Sequence, residues 1–156
     1  MTTSTAQRWY TIKEASALSG LPSSTLRYYE SIGVIAPVSR GATSGHRAYA
    51  EEDLDQIMWV ACLAATGMSV ANMREYVGNG RLGPAAAADQ VVLLEQQAHH
   101  LRAEAAQLEL RQRYVALKIG FWQAVQAGDP ERADQIGADA RTLADELRRN
   151  RSREDS

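Results

Sequence analysis

The amino-acid sequence predicts a mainly α-helical protein in which a winged helix-turn-helix precedes a long helix and a last, shorter helix. Three observations support this fold class. Two short amphipathic segments flank a glycine-containing turn, a turn-rich segment lies between two short segments that look like the strands of a wing, and a heptad-like apolar pattern extends through the middle of the chain. Together they indicate a small helical domain followed by an elongated helical extension.

The composition narrows the classes of protein to consider. A chain of 156 residues with 45% hydrophobic side chains fits one ordinary domain, or a small domain with an extended appendage. The formal net charge of -2 argues against a general polyanion binder, so any charge that attracts nucleic acid must be local. Residues 1–50 hold five basic side chains and two acidic ones, a net charge of +3.

The single cysteine, Cys62, excludes an intramolecular disulfide framework and a zinc site of several thiolates. No secretory signal is recognisable near the N-terminus, and no later run is long enough to span a bilayer. We therefore expect a cytoplasmic protein without membrane contact. No nucleophile–base pair and no phosphate-cradling glycine loop is evident, so neither an enzyme nor a bound cofactor or metal is predicted.

The helix-turn-helix is predicted from residues 11 to 31. Thr11 and Glu14 have the spacing of a capping box, and the helix that they start should end near Gly20. In the second helix, Leu26, Tyr29 and Glu30 share one face. The opposite face offers donors suited to phosphate oxygens: Ser24, Arg27, Tyr28 and Ser31. The second helix is therefore the predicted recognition helix.

The wing is predicted from residues 34 to 49. Residues 34–38 and 45–49 are expected to form its two strands, with a turn at residues 39–44. Arg40 and Arg47 would bring two more cations to the same nucleic-acid backbone. The alternative interpretation is a pair of solvated arginines.

Acidic residues 51–53 favour the start of a third helix, and Ser69 can cap a fourth that runs to about Val77. The glycine-rich residues 78–84 read as a linker. The predicted organisation is a DNA-binding domain (1–77), the linker (78–84), a dimerisation helix (85–127), a C-terminal amphipathic helix (128–148) and a disordered tail (149–156).

The long helix carries a coiled-coil seam whose apolar positions recur at three- and four-residue steps, with Gln112 as a polar exception. A lone helix cannot bury such a seam in water, which predicts a homodimer. The spacing alone leaves parallel and antiparallel pairing open. The predicted dimerisation residues are Val91, Leu94, Leu101, Leu108, Val115, Ile119 and Trp122. Asp129 and Pro130 should start the last helix.

The sequence resembles the MerR family of transcriptional regulators. The resemblance is carried by residues 10–12, 25–30, 45–49 and 67–69, together with Gly33, Pro37, Asp53 and Leu54. It implies a winged helix-turn-helix, a homodimer held by an antiparallel coiled coil, and binding to double-stranded promoter DNA. RNA polymerase would be affected indirectly, through distortion of the promoter.

The resemblance also implies roles for individual residues. Arg27 and Tyr28 would contact the DNA backbone from the recognition helix and Arg47 from the wing, while Tyr49 would brace the wing or touch a phosphate. The full predicted DNA-binding set is Ser24, Thr25, Arg27, Tyr28, Arg40, His46, Arg47 and Tyr49. The segment 59–68 is similar to the aldehyde- and electrophile-responsive branch of the family, which makes Cys62 a candidate sensor. The alternative for Cys62 is a small buried apolar side chain.

Two other functions fit the sequence. One is a related regulator that senses a small lipophilic ligand in a pocket beside the coiled coil. The other is an architectural DNA-binding protein that does not switch.

Overall fold

A computed structural model describes residues 6–42 and 44–154. The helices and strands, in chain order, are α1 (Ile12–Ser19), α2 (Ser23–Ser31), β1 (Ser39–Arg40), β2 (Arg47–Ala48), α3 (Glu51–Ala65), α4 (Val70–Leu82), α5 (Ala87–Gln126) and α6 (Pro130–Glu154). One turn of 3-10 helix, Gly83–Ala86, connects α4 to α5. β1 and β2 form a two-stranded antiparallel sheet. The predicted fold class, with a helix-turn-helix, a small wing, a long helix and a C-terminal helix, is confirmed.

The described residues form two compact units, one up to Gln97 and the other from Ala98 onward, and α5 contributes to both. The apolar core of the first unit is built by α1 to α4 and by the segment after α2. Its most deeply buried large side chains are Tyr49, Leu26, Ile35, Ile57, Met73, Val34 and Val60.

The helix-turn-helix forms as its sequence predicts. Thr11 and Glu14 make the reciprocal capping box at the start of α1, and Gly20 ends that helix with a left-handed φ of 76°. An L side chain rarely adopts this conformation, so glycine allows the chain to turn directly into α2. Leu26 and Tyr29 of α2 are buried, which confirms the predicted packing face.

The first wing strand lies later in the chain than the predicted residues 34–38. The backbone N–H groups of Val34 and Ile35 both donate to the carbonyl oxygen of Tyr29, at 2.9 and 3.3 Å, and their side chains are buried. Ala36 N donates to the Gln56 side chain at 2.9 Å. Because these donors close the end of α2 and bind a side chain, none of them is left for a strand partner, and pairing begins only at β1.

The third and fourth helices begin where the sequence predicts. The Asp53 carboxylate accepts a hydrogen bond from Ala50 N at 2.8 Å before α3, and the Ser69 hydroxyl accepts one from Asn72 N at 3.1 Å at the start of α4. However, α4 continues to Leu82 instead of ending near Val77. Residues 78–82 of the predicted linker are therefore helical, because an exposed glycine weakens a helix without necessarily breaking it.

In the second unit, α6 packs antiparallel along the C-terminal part of α5. A Cβ atom placed on Gly120 would lie 3.5 Å from the Ile136 side chain, and one placed on Gly137 would lie 3.6 Å from the Phe121 ring. Further along α6, Asn150 Nδ2 donates to Gln107 Oε1 of α5 at 3.5 Å, so a later position in α6 meets an earlier position in α5. Ala133, Ala140 and Leu143 of the predicted α6 stripe are buried. As predicted, Asp129 caps α6 by accepting from Arg132 N at 3.0 Å.

Residues 149–154 of the predicted disordered tail (149–156) are helical, since α6 extends through Glu154, and residues 155–156 lie outside the described residues. Arg148 pairs with Asp145 within the helix, and Arg151 and Arg153 lie in the last turn, where positive charge complements the helix dipole. Local helix-stabilising contacts thus extend into a segment whose charge suggested disorder. Within the described ranges, no helix has both the length and the apolar character needed to cross a membrane.

Candidate nucleic-acid interface

The outward face of α2 presents the predicted donors to solvent. Ser24 and Arg27 are exposed, Tyr28 is 53% exposed, and Thr25 is half-buried. The Tyr28 ring tilts against the buried ring of Tyr29, with 6.2 Å between ring centroids. Packing of one tyrosine thus steadies its exposed neighbour, whose hydroxyl can donate or accept a hydrogen bond at the surface.

The wing turn holds Arg40 and His46 at the surface. Arg40 Nη1 donates to the Gly45 carbonyl oxygen at 3.2 Å, which fixes the guanidinium across the turn. The His46 backbone accepts a hydrogen bond from Gly41 N at 2.9 Å. Its side chain is exposed, so imidazole and guanidinium are both accessible at the tip of the wing.

A groove of about 560 Å³ lies between the helix-turn-helix and the wing. Its lining includes four cationic side chains: Lys13, Arg27, Arg40 and Arg47. Trp9 and Tyr10 form part of its wall, and no carboxylate is among the described lining residues. Four cations around one concave surface create a local positive potential in a chain of net negative charge, and such a potential suits a polyanion.

Arg47 is held by an acidic neighbour on α2. Its Nε lies 3.0 Å from Glu30 Oε1, and the side chains of Arg47 and Glu30 are only 20% and 15% exposed. A partly buried ion pair is screened less by salt than an exposed one. Arg47 therefore belongs both to the groove and to the contact between α2 and the wing.

Tyr49 is fully buried, which corrects its predicted contact with a phosphate. Its backbone exchanges two hydrogen bonds with Tyr10, at 2.8 and 2.9 Å, and so ties the residue after β2 to the segment before α1. Burial raises the pKa of the Tyr49 hydroxyl, against the opposing effect of the nearby Arg47 charge. That hydroxyl has no hydrogen-bond partner in the described part of the chain. Of its two predicted roles, bracing the wing is the one that this position permits.

Sequence reasoning did not include Lys13 or Trp9 in the candidate site. Both line the groove, and Trp9 is 49% exposed. Lys13 is the second residue of α1 and directly follows a residue on the inward-facing side of that helix. Its position one residue later was a local indication that its charged side chain faces outward. No local pattern marked Trp9, because its position depends on the bridge between Tyr10 and Tyr49.

The comparisons with known proteins agree with this geometry. Residues 10–79 match the family described as MerR HTH family regulatory protein. A relative from Rhizobium meliloti (strain 1021), described as heavy metal-dependent transcription regulator 2, is 36% identical over 100 residues, which cover 64% of this chain and 67% of the relative. The chain belongs to the MerR family.

Further similar proteins align over different lengths. The HTH-type transcriptional regulator YyaN of Bacillus subtilis (strain 168), described as uncharacterized, is 39% identical over 71 residues, which are 46% of this chain and 51% of that protein. The chain thus spans about half of the length of this relative. A solved structure of HiNmlR, described as a MerR family regulator lacking the sensor domain and bound to promoter DNA, superposes with a TM-score of 0.65 at 25% identity, covering 83% of this chain and 96% of that one.

Cys62 of this MerR family chain is exposed, so the predicted alternative of a buried apolar side chain does not describe it. Met58 and Trp59, one helical turn earlier on α3, are 43% and 39% exposed. Trp59 packs edge-on against Tyr76 of α4, with 5.5 Å between ring centroids. The thiol therefore lies at the border of an exposed apolar surface.

The predicted dimerisation residues are all exposed in the single chain, by 39% to 64% of their surface: Val91, Leu94, Leu101, Leu108, Val115, Ile119 and Trp122. Large apolar side chains repeated along one helix face normally have a partner surface. These seven side chains remain exposed while α6 packs against α5 at Gly120 and Phe121.

Proposed function

We propose that this chain is a dimeric transcriptional regulator that binds double-stranded promoter DNA through α2 and the wing. The observation that carries this proposal is the groove with four cations and no carboxylate in its described lining. The HiNmlR structure supports it, because a protein of similar fold is bound there to promoter DNA. The net charge of -2 restricts the attraction to this surface and disfavours general polyanion binding.

The proposed contacts divide into two groups. Arg27, Tyr28 and Ser24 would bind phosphate oxygens from the exposed face of α2, with half-buried Thr25 beside them. Arg40, His46 and Arg47 would do so from the wing, and Lys13 adds a cation from α1. Phosphate contacts position a protein without reading bases directly. Sequence preference would then come from base edges within reach of α2 and from the ease with which the promoter deforms.

The exposed seam of α5 supports the proposal of a homodimer. Two copies that pair their seams would bury side chains that the single chain leaves about half exposed. Pairing would also place two copies of the groove in one molecule, matching the two halves of a near-palindromic operator. The antiparallel arrangement is implied by the family resemblance.

We further propose that Cys62 responds to electrophiles, the finer function that the family resemblance suggests. The exposed thiol could be reached by an α,β-unsaturated aldehyde. The thiolate sulfur would form a carbon–sulfur bond at the β-carbon, and the resulting enolate would take a proton from water. Modification can switch a regulator only if it affects two conformations differently.

A contact chain leads from Cys62 to the long helix. The Cys62 carbonyl oxygen accepts a hydrogen bond from Thr66 N at 3.3 Å, and the Thr66 carbonyl oxygen accepts one from Gln97 Nε2 of α5 at 2.9 Å. Gln97 is buried. An adduct that displaces the end of α3 would therefore act on a buried polar contact with the dimerisation helix.

The switch is tested by treating wild-type protein and Cys62→Ser with an α,β-unsaturated aldehyde and measuring promoter binding and transcription. We expect a single adduct by mass spectrometry and a response in the wild type only. A full response of Cys62→Ser would refute the switch and leave DNA binding untouched.

The heavy-metal dependence named for the Rhizobium meliloti relative is not proposed for this chain. A soft metal ion requires several thiolate or imidazole ligands, and the sequence contains one cysteine. In residues 6–42 and 44–154, no three His, Cys, Asp or Glu side chains are grouped so that they could hold a metal ion.

A second candidate function is the sensing of a lipophilic cation in the second unit. A groove of about 640 Å³ between α5 and α6 is lined by Leu117 and Leu143 together with the carboxylates of Asp139 and Glu146. Apolar walls with two acids suit an apolar cation, although Arg113 also lines the groove. Thermal stabilisation by tetraphenylphosphonium, lost in Glu146→Gln, would support it. Equal stabilisation of both proteins, or of neither, would refute it.

The main proposal is tested by selecting duplexes from a random DNA pool with the full chain and footprinting the selected sequence. We expect a protected near-palindrome with two half-sites, bound far less well by Arg27→Ala. Arg81→Ala, which changes an exposed arginine of α4, is the matched control and should bind as the wild type does. Recovery of no preferred sequence would favour a non-switching architectural DNA-binding protein. No binding to any duplex would refute DNA recognition altogether.

A further inference from the structure

Glu30 connects the recognition helix to both strands of the wing. It lies in the last turn of α2, and its Oε2 accepts a hydrogen bond from Val38 N, just before β1, at 2.8 Å. Its Oε1 accepts one from Arg47 Nε, at the start of β2, at 3.0 Å. One carboxylate therefore fixes the wing at two points that are close in space and distant in sequence.

Two features make an acid at position 30 unexpected in a surface proposed to bind DNA. A carboxylate near the C-terminal end of a helix opposes the helix dipole. The same carboxylate stands beside a groove lined by four cations, where it would repel a DNA phosphate. Such a residue needs a compensating role, and the two short contacts with the wing supply one.

Arg47 is the residue through which that role can act on DNA. A guanidinium has five N–H donors, and the ion pair with Glu30 uses the one on Nε. In the described part of the chain, Nη1 and Nη2 have no partner, and Arg47 lines the groove. Holding Nε in place orients the remaining four donors, which reduces the conformational freedom lost when a phosphate binds.

We propose that Glu30 is a positioning residue for DNA binding, which orients the Arg47 guanidinium toward the phosphate backbone and locks the wing to α2. The inference rests on the proposed function, because it assumes that Arg47 meets DNA. It goes beyond that function by assigning a favourable role in DNA binding to an acidic side chain.

For Glu30→Gln, the proposal and charge alone predict opposite changes in DNA affinity. Glu30→Gln removes a negative charge beside the groove, so Coulomb repulsion alone predicts tighter DNA binding. The neutral amide cannot keep the ion pair with Arg47, so the positioning role predicts weaker binding, by about tenfold, a typical consequence of losing a well-placed charge-assisted hydrogen bond. Glu30→Asp, which keeps the charge on a shorter side chain, should also weaken binding because one carboxylate no longer spans both contacts.

The test is a double-mutant cycle of Glu30→Gln and Arg47→Ala in the full chain, measured by binding to the duplex recovered by selection. We expect Glu30→Gln to weaken binding in the wild-type background and to have no further weakening effect when Arg47 is alanine. Glu75→Gln, at an exposed acid of α4, is the matched control and should not weaken binding. Thermal unfolding shows whether each variant is folded, and only folded variants are compared. If Glu30→Gln does not fold, Glu30→Asp replaces it in the cycle.

Unchanged or tighter binding by Glu30→Gln would overturn the inference, as would equal weakening in both Arg47 backgrounds. Failure of the proposed function looks different: Arg27→Ala and Arg47→Ala would then bind like the wild type, or the wild type would bind no duplex. Loss of binding in Arg27→Ala, combined with tighter binding in Glu30→Gln, would refute the role of Glu30 alone.

Discussion

The exposed seam of α5 makes a quantitative prediction about self-association. We consider the double substitution Leu108→Glu with Val115→Glu, which places a carboxylate at two seam positions one heptad apart. In the single chain these side chains are 54% and 56% exposed. Neither substitution removes a buried side chain from the fold of the second unit, so the chain should remain folded while its dimer contact is lost.

The expected loss of dimerisation free energy follows from the exposed fractions of the two side chains. Full burial of a leucine or valine side chain is worth about 2 kcal/mol, so burial of the remaining half is worth about 1 kcal/mol per side chain. Two positions in each of two chains give about 4 kcal/mol, or about a thousandfold in the dissociation constant. Desolvation of the introduced carboxylates would add to this loss.

Sedimentation equilibrium over a range of protein concentrations measures this effect. The wild type should be dimeric at micromolar concentration and the double variant monomeric, with unchanged helicity by circular dichroism. Ala103→Glu with Ala106→Glu is the matched control, since both alanines are exposed and lie off the seam. A double variant that dimerises as tightly as the wild type would refute the seam as the interface.

Three further predictions concern the first unit. Leu26→Ala, at a fully buried position, should lower the free energy of unfolding by about 2–5 kcal/mol, as measured by urea denaturation. Leu82 is 67% exposed, so Leu82→Ala should change that free energy by less than about 0.5 kcal/mol. Equal effects of the two substitutions would contradict the described core. Lys13→Ala should weaken DNA binding several-fold without changing stability, as measured by fluorescence anisotropy, and unchanged affinity would remove Lys13 from the interface. Because the pKa of Tyr49 is raised above 10.0, its contribution to stability is complete below that pH and is lost as the pH rises through the folded-state pKa. Tyr49→Phe should remove this alkaline loss and leave stability at neutral pH unchanged or slightly higher, whereas a clear loss at neutral pH would show that the hydroxyl has a partner.

Much of the fold follows from local signals in the sequence. The capping box of Thr11 and Glu14, the serine cap at Ser69 and the pair Asp129 and Pro130 each mark a helix start that the structure contains. The two faces of α2 follow from helical spacing, and Leu26 and Tyr29 are buried as expected. Signals of this kind act within one turn of helix, so they can be read without knowledge of the tertiary fold.

The wing shows where local reasoning is insufficient. The apolar residues 34–38 have strand-like composition, yet Tyr29, Glu30 and Gln56 accept hydrogen bonds from their backbone donors. Those acceptors lie on α2 and α3, so their effect on the chain path is tertiary. The pairing of Glu30 with Arg47 is also tertiary, because the two residues are far apart in the sequence. In the sequence, each of them looks like an ordinary surface charge.

The sequence predicts most residues of the candidate site, but it does not predict the positions of all of them. Exposed Arg27, Tyr28 and Arg40 follow from periodicity and turn chemistry. For Tyr49 the family resemblance implied either bracing of the wing or contact with a phosphate, and its burial beside the bridge to Tyr10 is compatible only with bracing. Trp9 lies in the groove beside that same bridge, which no local pattern encodes.

DNA recognition by α2 is tested most directly by the salt dependence of binding to the selected duplex, compared between the wild type and Arg27→Ala. If Arg27 neutralises one phosphate, the slope of log K against log salt concentration should become shallower by about 0.9, and affinity should fall across all sequences. A variant with the wild-type slope and affinity would contradict the assignment of α2 as the DNA-contacting helix.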